Sequence, residues 1–166
     1  MKRLLLIAVA AFMLQTLCGE AYADSRDWSL LDMDGNTFRL ASVRGDGPVL
    51  LMFWATWCIP CKREFAKHED LLNDYVKKGV HVILVSEDNS RTQARVKPFI
   101  EAKKYKWPVL LDPDGAVLKR YGGTTLLPYT VLLDQNGATA KTILGELKKT
   151  DVLTAEIDKL LGADGE

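Results

Sequence analysis

Six consecutive apolar residues, Val49-Leu50-Leu51-Met52-Phe53-Trp54, constrain this chain more than any other stretch. A run without polar alternation has no face to show to water, so it predicts a strand covered on both sides at the centre of a sheet. Residues 80–85 repeat the pattern after a stretch with helical spacing. Sheets covered on both faces carry helices above and below, so the expected fold class is α/β. A hydrophobic share of 48% over 166 residues suffices for one ordinary globular core and excludes a disordered chain.

The remaining elements follow from periodicity and punctuation. Residues 28–31 and 37–40 flank Asp32-Met33-Asp34-Gly35-Asn36 and predict an N-terminal hairpin. Residues 60–78 place Cys61, Phe65, Leu72 and Val76 on one helical stripe, with Pro60 in the first turn, Lys77 and Lys78 in the last and Gly79 as the stop. Ser90 can cap a second helix towards Lys104, interrupted by Pro98. A strand over residues 107–111 and a short segment over 116–121 come next. A closing hairpin, 129–133 and 139–144, turns at Asp134-Gln135-Asn136-Gly137. The last helix carries Leu153, Ile157, Leu160 and Leu161 and ends at Gly162. Alternating strands and helices closed by a hairpin give a mixed sheet flanked by helices.

Lys2 and Arg3 precede an apolar run, residues 4–14, that gives way to Gly19, Glu20 and Ala21-Tyr22-Ala23. That layout predicts a secretory signal peptide, residues 1–23, cleaved after Ala23 to leave a single domain over 24–166. Even extended to Leu17, the apolar run is shorter than the roughly 20 residues of a membrane span. Gln15-Thr16-Leu17 ahead of Cys18 lacks the leucine and small residue that a lipidation signal wants. Cleavage takes the 22 basic and 22 acidic residues to 20 and 21, a net charge of −1, so no basic surface is available for nucleic acid. Of three cysteines only Cys58 and Cys61 remain, and in an oxidising compartment such as the periplasm they pair unless something keeps reducing them.

Cys58-Ile59-Pro60-Cys61 stands at the junction of the buried strand and the helix that follows. A thiol at a helix N-terminus meets unpaired backbone N–H groups and the positive end of the helix dipole, so Cys58 is the expected nucleophile. Cys61, one turn on, is placed to attack a mixed disulfide at Cys58 and resolve it. Two other uses compete. A structural disulfide closing so short a loop restricts the unfolded chain by only about 2 kcal/mol. For zinc the chain lacks a second Cys-x-x-Cys, and His68 and His81 read as packed side chains; two exposed thiolates can still hold Cu(I).

The stretch from Phe53 to Phe65 (FWATWCIPCKREF) resembles the signature of the thioredoxin-like proteins, in particular the exported TlpA/ResA-like thiol:disulfide oxidoreductases. Leu127-Pro128-Tyr129-Thr130 with Leu133-Asp134 and Gly137 resembles their second signature. The resemblance implies a thioredoxin-like fold with an N-terminal hairpin and an inserted helix-strand segment at residues 87–111. It also implies a cis Leu127-Pro128 bond beside the disulfide, where Trp57, Pro60, Leu127 and Pro128 would receive substrate as an extended strand. The implied activity is a Cys58/Cys61 dithiol-disulfide cycle with no cofactor and no metal. Its partners would be disulfide-containing exported proteins such as apocytochrome c and a membrane electron donor, and the protein itself a monomer. A Cu(I)-binding chaperone and a disulfide-donating oxidant of the same fold are the alternatives.

Glu64 stands where cytochrome c maturation members carry an acidic residue, and helix geometry brings it towards Cys61. It either moves the thiol proton or is a solvated residue pairing with Lys67 or His68. Three departures from the family pattern stand out: Met52 replaces a buried Asp, Ala66 a helix-kinking proline, and Thr125-Leu126-Leu127 a glycine-containing approach to Pro128. Leu126 and Leu127 are then a partner-facing apolar patch, with core packing expected for at least one. The Ile59-Pro60 dipeptide offers the thiolate no positive charge or donor, which predicts a reductant rather than an oxidant.

Overall fold

The computed structural model describes residues 26–147 and 150–162, so the expected signal peptide and Cys18 lie outside the described residues. Seven strands form one mixed sheet: β1 (Ser29–Asp32), β2 (Thr37–Arg39), β3 (Val49–Trp54), β4 (His81–Ser86), β5 (Val109–Leu111), β6 (Tyr129–Leu133) and β7 (Thr139–Leu144), in the order β2-β1-β5-β4-β3-β6-β7. Among the described residues four α-helices cover it: α1 (Ile59–Lys77), α2 (Val96–Lys103), α3 (Ala116–Arg120) and α4 (Asp151–Gly162). The expected α/β class and thioredoxin-like arrangement are what the chain adopts.

β3 runs through the middle, parallel to β4 and antiparallel to β6, and all six of its residues are buried. Successive side chains of a strand point to opposite faces, so β3 feeds two cores. Leu50, Met52 and Trp54 pack with Phe65, Leu72 and Tyr75 of α1 and with Leu153 and Ile157 of α4. Val49, Leu51 and Phe53 pack on the other face with Val117 and Leu118 of α3 and with Trp28 and Leu40 from the N-terminal segment. Each buried aliphatic or Phe side chain contributes about 1.5–3 kcal/mol, so the strand that carries the cysteine loop is also the most firmly seated. Met52, in the position of the family's buried Asp, is part of this apolar packing.

Three local expectations change. Val76 is exposed, and Tyr75 takes its place on the buried stripe of α1, its hydroxyl donating to Asp158 Oδ1 of α4 at 3.1 Å. The segment after β4 forms a turn at Asn89, then a 3₁₀ turn at Gln93–Arg95, and only then α2. Ser90 therefore caps nothing, and Pro98 lies in the first turn of α2, where a missing N–H leaves no bond unmade. β5 begins at Val109; Trp107 instead enters the core, stacked on Tyr105 at 5.0 Å, with its indole N–H donating to Asn73. The inserted segment thus supplies α2 and β5, and β5 joins the N-terminal hairpin to the sheet through β1. Gly79, at φ +95°, takes the left-handed conformation that ends α1 and turns the chain into β4.

Candidate active site

β3 delivers the cysteine loop to the edge of the sheet at its C-terminal end. Cys58 N–H donates to the Ala55 carbonyl at 2.9 Å, closing a tight turn after the strand. Cys58 is the N-cap of α1, and Pro60 occupies the first turn. The Cys61 N–H, one of the donors a helix start leaves unpaired, points at Cys58 Sγ at 3.2 Å. The two cysteines form a disulfide with Cα atoms 5.4 Å apart. A backbone N–H and a helix dipole directed at sulfur favour its anionic form once the bond opens. Cys58 retains 4% of its surface and Cys61 none, so only Cys58 offers an approach from outside.

Asp88, two residues past the end of the neighbouring strand β4, anchors the loop. Its fully buried carboxylate accepts from the Thr56 N–H at 2.7 Å, the Thr56 hydroxyl at 2.6 Å and the Ser86 hydroxyl at 3.0 Å. Lys62 adds a bond from Nζ to the Thr56 carbonyl at 2.8 Å. The register of β3 with β6 pairs Phe53 with Tyr129, which brings Pro128 alongside the end of β3 and hence beside the loop. The Leu127-Pro128 bond is cis.

Around the disulfide the surface is apolar. Trp57, Ile59 and Leu126 are each more than half exposed, while Leu127 is half-buried and packs against both cores. Of the two leucines, Leu126 is therefore the outward one and Leu127 the packed one. Pro60 is half-buried and Pro128 buried. Trp57 and Leu127 also flank a groove of about 400 Å³ whose wall includes Glu87 and Leu118. Burial, reinforced by the neighbouring Asp112 carboxylate, pushes the Glu87 carboxyl up to about 9.

Glu64 is 3% exposed, so it is not the solvated helix residue that was one of its two expected forms. Its Oε2 accepts from the Leu147 N–H at 3.2 Å, and no salt bridge to Lys67 or His68 forms among the described residues. Loss of water pushes its carboxyl group up to about 7, against the opposing pull of the Leu147 N–H. An acid poised there can give or take a proton near neutral pH. His68, one turn further along α1, is also buried, as expected for a packed histidine, and burial lowers the pKa of its ring.

Asp88, Glu87 and Asp112 were not singled out from sequence. Asp112 is fully buried and caps α3 by accepting from the N–H groups of Ala116, Val117 and Leu118, each at 2.9 Å. The Asp112-Pro113-Asp114-Gly115 turn carried a capping signal that could have identified it. Asp88 had only its position two residues after a buried strand.

Residues 23–142 match the AhpC/TSA family. The thiol-disulfide oxidoreductase ResA of Geobacillus thermodenitrificans is 37% identical over 126 residues, 76% of this chain and 70% of that protein. The ResA of Bacillus subtilis is 31% identical over 128 residues, 77% and 69% of the two chains. Among solved structures, StoA from Bacillus subtilis superposes with a TM-score of 0.63 at 26% identity, over 78% of this chain and 95% of StoA. A Chlorobium tepidum protein assigned as the thiol:disulfide interchange protein DsbE gives a TM-score of 0.70 at 28% identity, over 82% and 94%. With a Cys-x-x-Cys disulfide at the start of α1 and a cis-proline beside it, the chain belongs to the AhpC/TSA family, among its ResA-like thiol-disulfide oxidoreductases.

Proposed function

We propose that this protein is exported to the periplasm after loss of residues 1–23 and there reduces disulfides in exported proteins, apocytochrome c among the candidates. The observation that carries the reading is the asymmetric disulfide: Cys58 caps the helix and has the only outward surface, while Cys61 is sealed behind it. In the cycle, the Cys58 thiolate attacks one sulfur of the substrate disulfide and expels the other as a thiolate. Cys61 then loses its proton, attacks Cys58 Sγ, and releases the second substrate thiol as the Cys58–Cys61 bond forms. Two electrons pass from the dithiol to the substrate. Glu64 is the group that takes the Cys61 proton.

Trp57, Pro60, Leu127 and Pro128 form the docking surface, with Leu126 and Ile59 at its rim. An extended substrate segment laid along the edge before β6 would meet both the apolar side chains and the disulfide. The redox-active disulfide is the only cofactor in this reading, the protein acts as a monomer, and a membrane protein returns electrons to it.

Replacing Cys61 with Ser tests the roles directly. In this variant Cys58 should accumulate mixed disulfides with exported proteins, visible as reductant-sensitive bands, because nothing resolves them. Accumulation in Cys58→Ser instead would reverse the assignment.

A further inference from the structure

Glu64 and His68 share a feature that the exchange cycle does not explain. Both are buried, and each has one polar atom without a partner, Glu64 Oε1 and His68 Nε2. Both line one cavity of about 330 Å³, lined also by Leu147 and bordered by the Arg63–Glu146 ion pair, 2.9 Å between Nη2 and Oε1. Buried polar atoms are seldom left unpaired, since each costs about 1–3 kcal/mol, and two in one cavity point to a shared use.

The second carboxylate oxygen of Glu64 is already committed. Leu147 donates its N–H to Glu64 Oε2, and the backbone of the same residue acts on the His68 ring against the effect of burial. A single residue of the segment after β7 thereby holds Glu64 and borders His68, and Oε1 and Nε2 are left to the cavity. Residues 64 and 68 are four apart on α1, so they share a face. A neutral imidazole whose other nitrogen carries the hydrogen presents Nε2 as an acceptor, and a protonated carboxyl group presents a donor. Burial favours these neutral forms of both groups.

We propose that His68 is the positioning residue for Glu64: Nε2 accepts, through a cavity water, the hydrogen bond of the proton that Glu64 carries on Oε1. The inference rests on the reading of Glu64 as the proton-handling group. When Cys61–SH passes its proton to the Glu64 carboxylate, the Cys61 sulfur attacks Cys58 and the substrate leaves as a thiolate. The proton rests on Oε1 against His68 and departs through the cavity to solvent. The space accommodates bridging water, and Glu64 Oε1 and His68 Nε2 supply partners for it. The charged groups facing the pair are Arg63 and Lys67 of the same helix and Glu146 of the segment after β7. Lys67 favours the ionised carboxylate and the neutral ring, and Glu146 favours the protonated carboxyl.

The chain has two histidines, so ring resonances can be followed individually by NMR, with His81 as internal reference. In the oxidised protein the His68 ring should stay neutral near pH 7 yet show an inflection there, where Glu64 loses its proton. Glu64→Gln should abolish that inflection and leave His81 unchanged. A His68 titration identical in the native chain and in Glu64→Gln would overturn the proposal. A second measurement follows the Glu64 carboxyl band in the infrared. His68→Leu should lower the Glu64 pKa by about one unit, a tenfold change in its protonation equilibrium, whereas His68→Gln, which keeps an acceptor, should lower it less. An unchanged Glu64 pKa in His68→Leu also contradicts the proposal. Neither measurement reads turnover. Failure of the Glu64 role itself appears separately, as a Cys61 pKa insensitive to Glu64→Gln.

Discussion

At the scale of single residues, the cysteine pair was legible because its chemistry lies in contiguous sequence: strand, Cys-x-x-Cys, proline, helix. Alkylation of the reduced protein should modify Cys58 first, with an apparent pKa below the free-thiol value of about 8.5, because the Cys61 N–H and the start of α1 face its sulfur. Mass spectrometry of peptides labelled across a pH series reads both quantities, and faster labelling of Cys61 would refute the assignment. The state of Glu64 was not legible, since its burial depends on Leu147, 83 residues away. Its carboxyl group is raised from 4.5 to about 7 on folding, so the folded state holds the proton more tightly than the unfolded chain. Its contribution is therefore fully present below about pH 4.5 and is lost as the pH rises through 7. Glu64→Gln should flatten that decline, leaving the variant on the order of 2 kcal/mol more stable than the native chain at pH 8 in urea unfolding. The same variant should lower the Cys61 pKa by removing a like charge and should slow substrate reduction. A stability difference independent of pH would contradict the buried-acid account.

At the scale of elements, long apolar runs and strong punctuation located β3, β4, β6 and β7 from sequence, as well as both ends of α1. Ser90 fails as a cap because a 3₁₀ turn precedes α2, and two other misses share one cause: tertiary packing chose between neighbours that periodicity treats alike. Tyr75 rather than Val76 faces the core because its hydroxyl finds Asp158 on α4, and Trp107 leaves β5 to stack on Tyr105. The least legible contact, Asp88 to Thr56, joins the ends of β3 and β4 and fixes the backbone leading into the cysteine loop. Asp88→Ala would leave the Thr56 N–H and two hydroxyls without their acceptor. We expect a loss of about 2–4 kcal/mol in urea unfolding and a reduction rate at least about tenfold lower, the second because Trp57 and Cys58 lose their fixed approach. Native rates in a folded Asp88→Ala protein would remove the loop-anchoring role.

For the whole molecule, the sheet order brings together what the chain keeps apart. The end of β3 supplies the cysteine loop, the approach to β6 the cis-proline, the segment just past β4 the anchoring Asp88, and the segment after β7 the Leu147 that grips Glu64. Sequence gave the first two as signatures and left the other two silent, because an adjacent-strand contact carries no spacing rule. This assembly surrounds the disulfide with apolar side chains and backbone, and the Ile59-Pro60 dipeptide adds no cation that would hold a thiolate. The central claim, that the dithiol is a reductant, is tested most directly by its reduction potential, obtained by equilibrating residues 24–166 in thiol-disulfide buffers of graded potential. The account predicts a value near the roughly −270 mV of thioredoxin, and a value above about −180 mV, in the range of disulfide isomerases and oxidants, would contradict it.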